Sequence, residues 1–131
     1  MHLGNITFDC ADPDRLAEFW AAALGWHIEP MPAVLARIVQ SRPELAGARA
    51  AVSDPLQRSP KLWFQRVAEP KPGKNRMHLD CNTAGRNREA EIQRLVALGA
   101  SVLQRVTEQL GEYTGSHVVM ADPEGNEFCL Q

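Results

Sequence analysis

One pattern is written twice in this chain, and that repetition constrains its fold more than any other feature. Asn5-Ile6-Thr7-Phe8-Asp9-Cys10 and Arg76-Met77-His78-Leu79-Asp80-Cys81 both run polar, apolar, polar, apolar, Asp, Cys, 71 residues apart at every position (76 − 5, 81 − 10). Alternation of period two predicts a half-buried strand in each place. Ile6, Phe8 and Cys10 are expected to face a helix, with Met77, Leu79 and Cys81 as their counterparts.

A helix is predicted after each strand. Asp12-Pro13 supplies an N-cap followed by proline in the first turn, Leu16, Phe19, Trp20, Ala23 and Leu24 recur at helical spacing, and Gly25 ends the run. The second helix is predicted from near Asn87, with Ile92, Leu95, Val96 and Leu98 as its apolar side and Gly99 as its stop. Further on, Val52-Ser53-Asp54-Pro55 is echoed by Met120-Ala121-Asp122-Pro123. Asp-Pro opens a tight reversal, because Asp hydrogen-bonds the turn backbone while Pro presets the next φ, and Gly125 supplies a left-handed position. The closing strands, Leu62 to Val67 and Asn126 to Gln131, share a phenylalanine, Phe64 in one and Phe128 in the other. These landmarks define two βαβββ modules, about 1–70 and about 71–131, in one domain spanning 1–131.

Residues 31–47 break the symmetry. Pro32, Val34, Leu35 and Ile38 fit a short amphipathic helix where a tight turn would suffice. Two readings stay open: a lid over a pocket, or an insertion packed on one end.

Composition narrows the function classes. With 14 basic and 16 acidic side chains the net charge is −2, and the densest basic stretch, Lys71 to Arg76, is broken by Pro72 and Gly73. No nucleic-acid partner is expected. No apolar run approaches the roughly 20 residues of a membrane helix, and MHLGNITFDC lacks the basic start and apolar run of a signal peptide. Cys10, Cys81 and Cys129 form no CxxC pair and sit in strand-like contexts, which suits reduced, buried thiols. A cytoplasmic location is expected.

Paired βαβββ modules, the Asp122-Pro123-Glu124-Gly125-Asn126 turn before the last strand, and the run Lys74-Asn75-Arg76-Met77-His78-Leu79-Asp80 resemble the vicinal oxygen chelate superfamily. Within it the chain is similar to glyoxalase-like proteins related to bleomycin-resistance proteins and extradiol dioxygenases. The resemblance implies an α+β fold with a curled eight-stranded mixed sheet, a ligand or metal held inside, and commonly a homodimer. It leaves function open, because this fold hosts many chemistries.

In metal-using members four ligands come from the first and last strands of each module. Carried through the repeat, those places are Asn5, Gln65, Arg76 and Cys129. Two neutral amides are weak ligands, and Arg76 brings a fixed positive charge. A unit charge pair at about 4 Å and an effective dielectric of about 20 is worth roughly 4 kcal/mol, so a dication is repelled by about twice that. One thiolate is not a site. No metal and no cofactor are therefore expected.

The remaining candidates are residues alternating with the apolar faces. Asn5, Thr7, Trp63, Gln65, Arg76, Glu127 and Cys129 are the candidate ligand-binding set. Arg76 suits a carboxylate or phosphate, or else a structural salt bridge to Asp9, Asp80 or Glu127. Trp63 suits a flat ring. His78 is either a structural hydrogen-bonder or a general acid or base tuned by Asp80 or Asp9, which makes His78 and Asp80 the candidate catalytic pair. Cys129 as a nucleophile lacks an assured base. Trp20, Trp26 and Phe19 are assigned to core packing, and His2, His27 and His117 carry no signal.

The expected function is metal-free binding of a small aromatic or anionic molecule. A lyase or isomerase of glyoxalase type, possibly metal-dependent, is the alternative, and a structural dimer with a filled interior is a third.

Overall fold

The computed structural model describes residues 1–131. Two compact units divide the chain, Met1–Lys71 and Pro72–Gln131. The first contains β1 (Asn5–Cys10), α1 (Pro13–Leu24), β2 (His27–Ile28), α2 (Ala33–Ser41), a single 3-10 turn (Pro43–Leu45), β3 (Arg49–Ser53) and β4 (Lys61–Arg66). The second contains β5 (Leu79–Cys81), α3 (Arg88–Ala97), β6 (Ser101–Leu110), β7 (Tyr113–Ala121) and β8 (Glu127–Leu130). The eight strands divide into two four-stranded mixed sheets of identical plan, β1-β4-β3-β2 and β5-β8-β7-β6. No helix is long and apolar enough to cross a membrane.

Strand register confirms how the two copies align. Phe8 pairs with Phe64 across the parallel β1–β4 ladder, and Leu79 pairs with Phe128 across β5–β8. Asp9 opposite Gln65 is likewise matched by Asp80 opposite Cys129. Phe64 and Phe128 therefore occupy equivalent places without slippage.

Local chemistry sets the helix ends as the sequence predicts. Asp12 accepts the Arg15 N–H at 3.1 Å, Pro13 begins α1, and Gly25 closes it at φ +68°. Asn87 accepts the Ala90 N–H at 3.0 Å and caps α3. In the first unit Leu16 and Trp20 of α1 are buried against Val52, Leu62 and Phe64. Phe8 joins them, its ring centroid 5.8 Å from Trp20 and 5.7 Å from Phe64. Phe19 is buried too, whereas Trp26 is only half-buried. Ile92, Leu95, Val118, Met120, Phe128 and Leu130 form the second core.

Several expectations need correction. β5 covers three residues rather than the predicted 76–81. Its partner β8 starts only at Glu127, after the Asp122 turn, so Arg76 and Met77 have no strand to pair with. Met77 is accordingly 66 % exposed and faces no helix. Val96 and Leu98 are exposed as well, leaving Ile92 and Leu95 as the buried side of α3. Cys81 is half-buried, unlike Cys10 and Cys129.

The 31–47 insertion does form a helix, but α2 has no side-chain cap and no buried residue. Its return to the sheet is pinned by Arg66, which donates to the Gly47 carbonyl at 2.8 Å. Gly47 is required there: it sits at φ +63°, and a Cβ would lie 2.9 Å from the Arg66 guanidinium.

Candidate functional site

The face of the first sheet turned away from α1 follows from strand alternation. Leu62 and Phe64 are buried under the helix, so Lys61, Trp63 and Gln65 take the opposite face. Register places Asn5, Thr7 and Asp9 beside them on β1, and Ala51 and Arg49 beside Trp63 and Gln65 on β3. Over part of this face lies a cavity of about 510 Å³, a size suited to a small organic molecule. Ala51 and Trp63 form its floor, while Met31, Leu35, Ile38 and Val39 of the insertion form the facing wall.

Four charged residues line this cavity: Asp14, Glu29, Arg49 and Lys61. Lys61 is committed to Glu29 at 3.1 Å. The Ser53 hydroxyl also donates to Glu29, and these two partners hold the Glu29 carboxyl below the usual range. The side chains of Arg49 and Asp14 make neither a hydrogen bond nor an ion pair. The Trp63 indole N–H is buried without an acceptor, an omission that costs about 1–3 kcal/mol.

The second unit presents a different constellation. Register puts Asp80 opposite Cys129, and His78 lies two residues before Asp80. His78 Nδ1 is 3.4 Å from the Cys129 sulfur and 3.4 Å from Asp80 Oδ1. Cys129 is buried, whereas His78 and Asp80 are exposed. Burial, then the charge of Asp80 and a hydrogen bond to it, push the Cys129 thiol up. Such a thiol is a poor nucleophile at neutral pH.

The sequence candidates thus fall into four groups. Trp63 lines the cavity; Asn5, Thr7 and Gln65 share its sheet face without lining it, and Gln65 spends its amide on Asp9 at 2.8 Å. His78, Asp80 and Cys129 come together in the second unit. Arg76 stands apart, exposed in a bend ahead of β5, and within its own unit it makes no ion pair to Asp80 or Glu127. Glu127 is held by Lys74 at 3.2 Å and by the Asn75 N–H at 3.2 Å.

The glyoxalase-like domain family matches residues 5–131. The chain belongs to that family. Among solved structures, this glyoxalase-like chain is similar to a glyoxalase/bleomycin resistance protein/dioxygenase family enzyme from Burkholderia phytofirmans PsJN. The two share 14 % identity and a TM-score of 0.68, over 99 % of this chain and 97 % of that one. The fosfomycin resistance protein FosX from Listeria monocytogenes gives 12 % identity and a TM-score of 0.70, over 99 % of this chain and 88 % of that one. A glyoxalase-related enzyme from Fulvimarina pelagi gives 18 % identity and a TM-score of 0.65, over 99 % and 86 %. At these identities the likeness concerns the fold alone. No curated protein matches the sequence.

The metal positions that the superfamily resemblance implies can be tested on donor chemistry. Asn5 is exposed at the start of β1, the Gln65 amide is engaged by Asp9, and Arg76 is an exposed guanidinium. Two amides, a cation and a thiol do not fit a divalent ion. Sequence reasoning missed Arg49, because the repeat landmark on β3 begins only at Val52, and Arg49-Ala50-Ala51 before it carries no motif. It also missed the approach of His78 to Cys129, although the shared face of His78, Asp80 and Cys129 follows once register is known.

Proposed function

We propose that this glyoxalase-like protein binds a small molecule in the cavity of its first module, without the help of a metal. The ligand has a flat, largely apolar body and an anionic group. The observation that carries this reading is a cavity of about 510 Å³ with mostly apolar walls, lined by the aromatic Trp63 and by one cation, Arg49, whose side chain makes no ion pair. A carboxylate or phosphonate would engage the planar guanidinium in a forked pair, while a ring lies against the indole. FosX from Listeria monocytogenes was crystallised with a dihydroxypropylphosphonic acid, which supports an anionic ligand class. Asp14, also unpaired, suits a ligand that carries a donor group as well.

The experiment is a titration with 2-naphthoate followed by tryptophan emission. Saturable quenching is expected, and it should vanish in Trp63→Phe while Trp20 and Trp26 remain. Absence of saturation at millimolar ligand would contradict the reading.

A lyase or isomerase of the same superfamily is the second reading. It is favoured by the pairing of His78 with Asp80 at 3.4 Å and by the Mn(II) present in the FosX structure. Such an enzyme should lose turnover in His78→Ala while keeping ligand affinity, whereas a binder has no turnover to lose. Three free cysteines support a reducing, cytoplasmic setting. A homodimer is proposed on the exposed Leu103, Leu110 and Tyr113 of the β6–β7 hairpin, and a solution mass of 14.5 kDa rather than twice that would refute it.

A further inference from the structure

The second module carries a group of side chains that the cavity reading leaves unused. His78 Nδ1, an Asp80 carboxylate oxygen and the Cys129 sulfur all lie within 4.8 Å of one another. We propose that this module binds one borderline-soft divalent transition ion, of the zinc class, through His78, Asp80 and Cys129.

Three features carry the proposal. The first is spacing. Metal–ligand bonds of about 2.0–2.3 Å in a tetrahedral arrangement place ligand atoms about 3.4–3.6 Å apart. The two contacts made by His78 Nδ1, to sulfur and to carboxylate, are both 3.4 Å. The third pair, sulfur to carboxylate, lies within 4.8 Å, so closing the site around an ion needs these two to approach by about 1 Å at most.

The second is charge. A thiolate and a carboxylate with a neutral imidazole carry two negative charges, which a dication balances. The neighbouring Glu127 is already balanced by Lys74. Arg76, the residue that disqualifies the family's ligand positions, lies outside the β5–β8 ladder in a bend, exposed to solvent.

The third is ligand type. Nitrogen, oxygen and sulfur donors together favour zinc over magnesium or calcium, which prefer oxygen alone. Three protein ligands leave a fourth position, as in catalytic rather than structural zinc sites. Exposure of His78 and Asp80 puts that position on the solvent side. A bound ion would displace the proton of the Cys129 thiol. The first module cannot do the same, since the equivalent places hold Thr7, Asp9 and Gln65.

This proposal does not rest on the ligand of the first module, and its test leaves Arg49 and Trp63 untouched. Chelator-treated full-length protein is titrated with Co²⁺ and followed by absorption. One equivalent should give a thiolate-to-cobalt charge-transfer band that Zn²⁺ abolishes. Cys129→Ser should remove the band and Cys81→Ser should keep it. His78→Ala and Asp80→Asn should each weaken binding at least about tenfold, the loss that even a ligand's supporting partner typically causes. X-ray absorption of the Zn²⁺-loaded wild type, which needs no variant, should find one sulfur among nitrogen and oxygen neighbours. No band at millimolar Co²⁺, a band that survives Cys129→Ser, or a zinc shell without sulfur would overturn the proposal.

Discussion

Asp54 and Asp122 show how single side chains fix the reversals of this duplicated chain. Each is 3 % exposed and folds the backbone onto its own carboxylate. Asp54 accepts the Leu56 N–H at 2.9 Å, and Asp122 accepts the Glu124 N–H at 2.9 Å. The following left-handed position is Gly125 at φ +83° in one copy and Gln57 at φ +53° in the other. Both turns are legible in the sequence because their chemistry is local: Asp, Pro and the turn backbone lie within five residues. The Arg58 guanidinium, with the Leu56 N–H, holds the Asp54 carboxyl below its usual value. Since that folded value lies below the unfolded one of about 3.9, the stabilisation is complete above about pH 4. It is lost as pH falls through the folded value. Urea denaturation should therefore show the stability gap between wild type and Asp54→Asn narrowing as pH drops below about 4; a gap unchanged down to pH 2 would contradict this assignment.

At the scale of elements, α1 and α2 contrast. α1 has an Asp cap, a left-handed glycine stop and five buried residues. α2 has neither a side-chain cap nor a buried residue, yet it walls the cavity. Helices with few buried contacts open at low free-energy cost. Hydrogen exchange should find α2 amides far less protected than those of α1, and slowed when 2-naphthoate binds. Protection of α2 equal to that of α1 in the free protein would count against a mobile wall. The amphipathic spacing of Val34, Leu35 and Ile38 made this helix legible, but not what it covers. That depends on the sheet face beneath it, a long-range arrangement that local pattern does not encode. The shortness of β5 was hidden for a related reason. Met77 continues the alternation perfectly, but a strand lasts only as long as its neighbour, and β8 begins at Glu127.

Across the whole molecule, duplication explains what was legible and where it stopped. Paired offsets predicted two βαβββ modules, and the register of Phe8 with Phe64 and of Leu79 with Phe128 bears them out. Repetition identifies equivalent positions, but function lies in the differences between them. Where one copy has Thr7 and Gln65 the other has His78 and Cys129, and only the first copy carries α2, which lines the cavity. Arg76 drew attention because the superfamily resemblance implies a metal ligand at its place; Arg49, on a strand that carries no motif at that point, is the cation that the cavity offers. On this account the first module is a pocket for an apolar anion, and its selectivity depends on that guanidinium.

Calorimetric titration of 2-naphthoate and its uncharged primary amide into wild type and Arg49→Gln tests this most directly. An ion-assisted hydrogen bond is worth about 1.5–3 kcal/mol, so the carboxylate should bind wild type roughly 10- to 100-fold more tightly than the amide, and Arg49→Gln should erase the difference. Equal affinities in wild type, or a carboxylate preference that survives Arg49→Gln, would contradict the account.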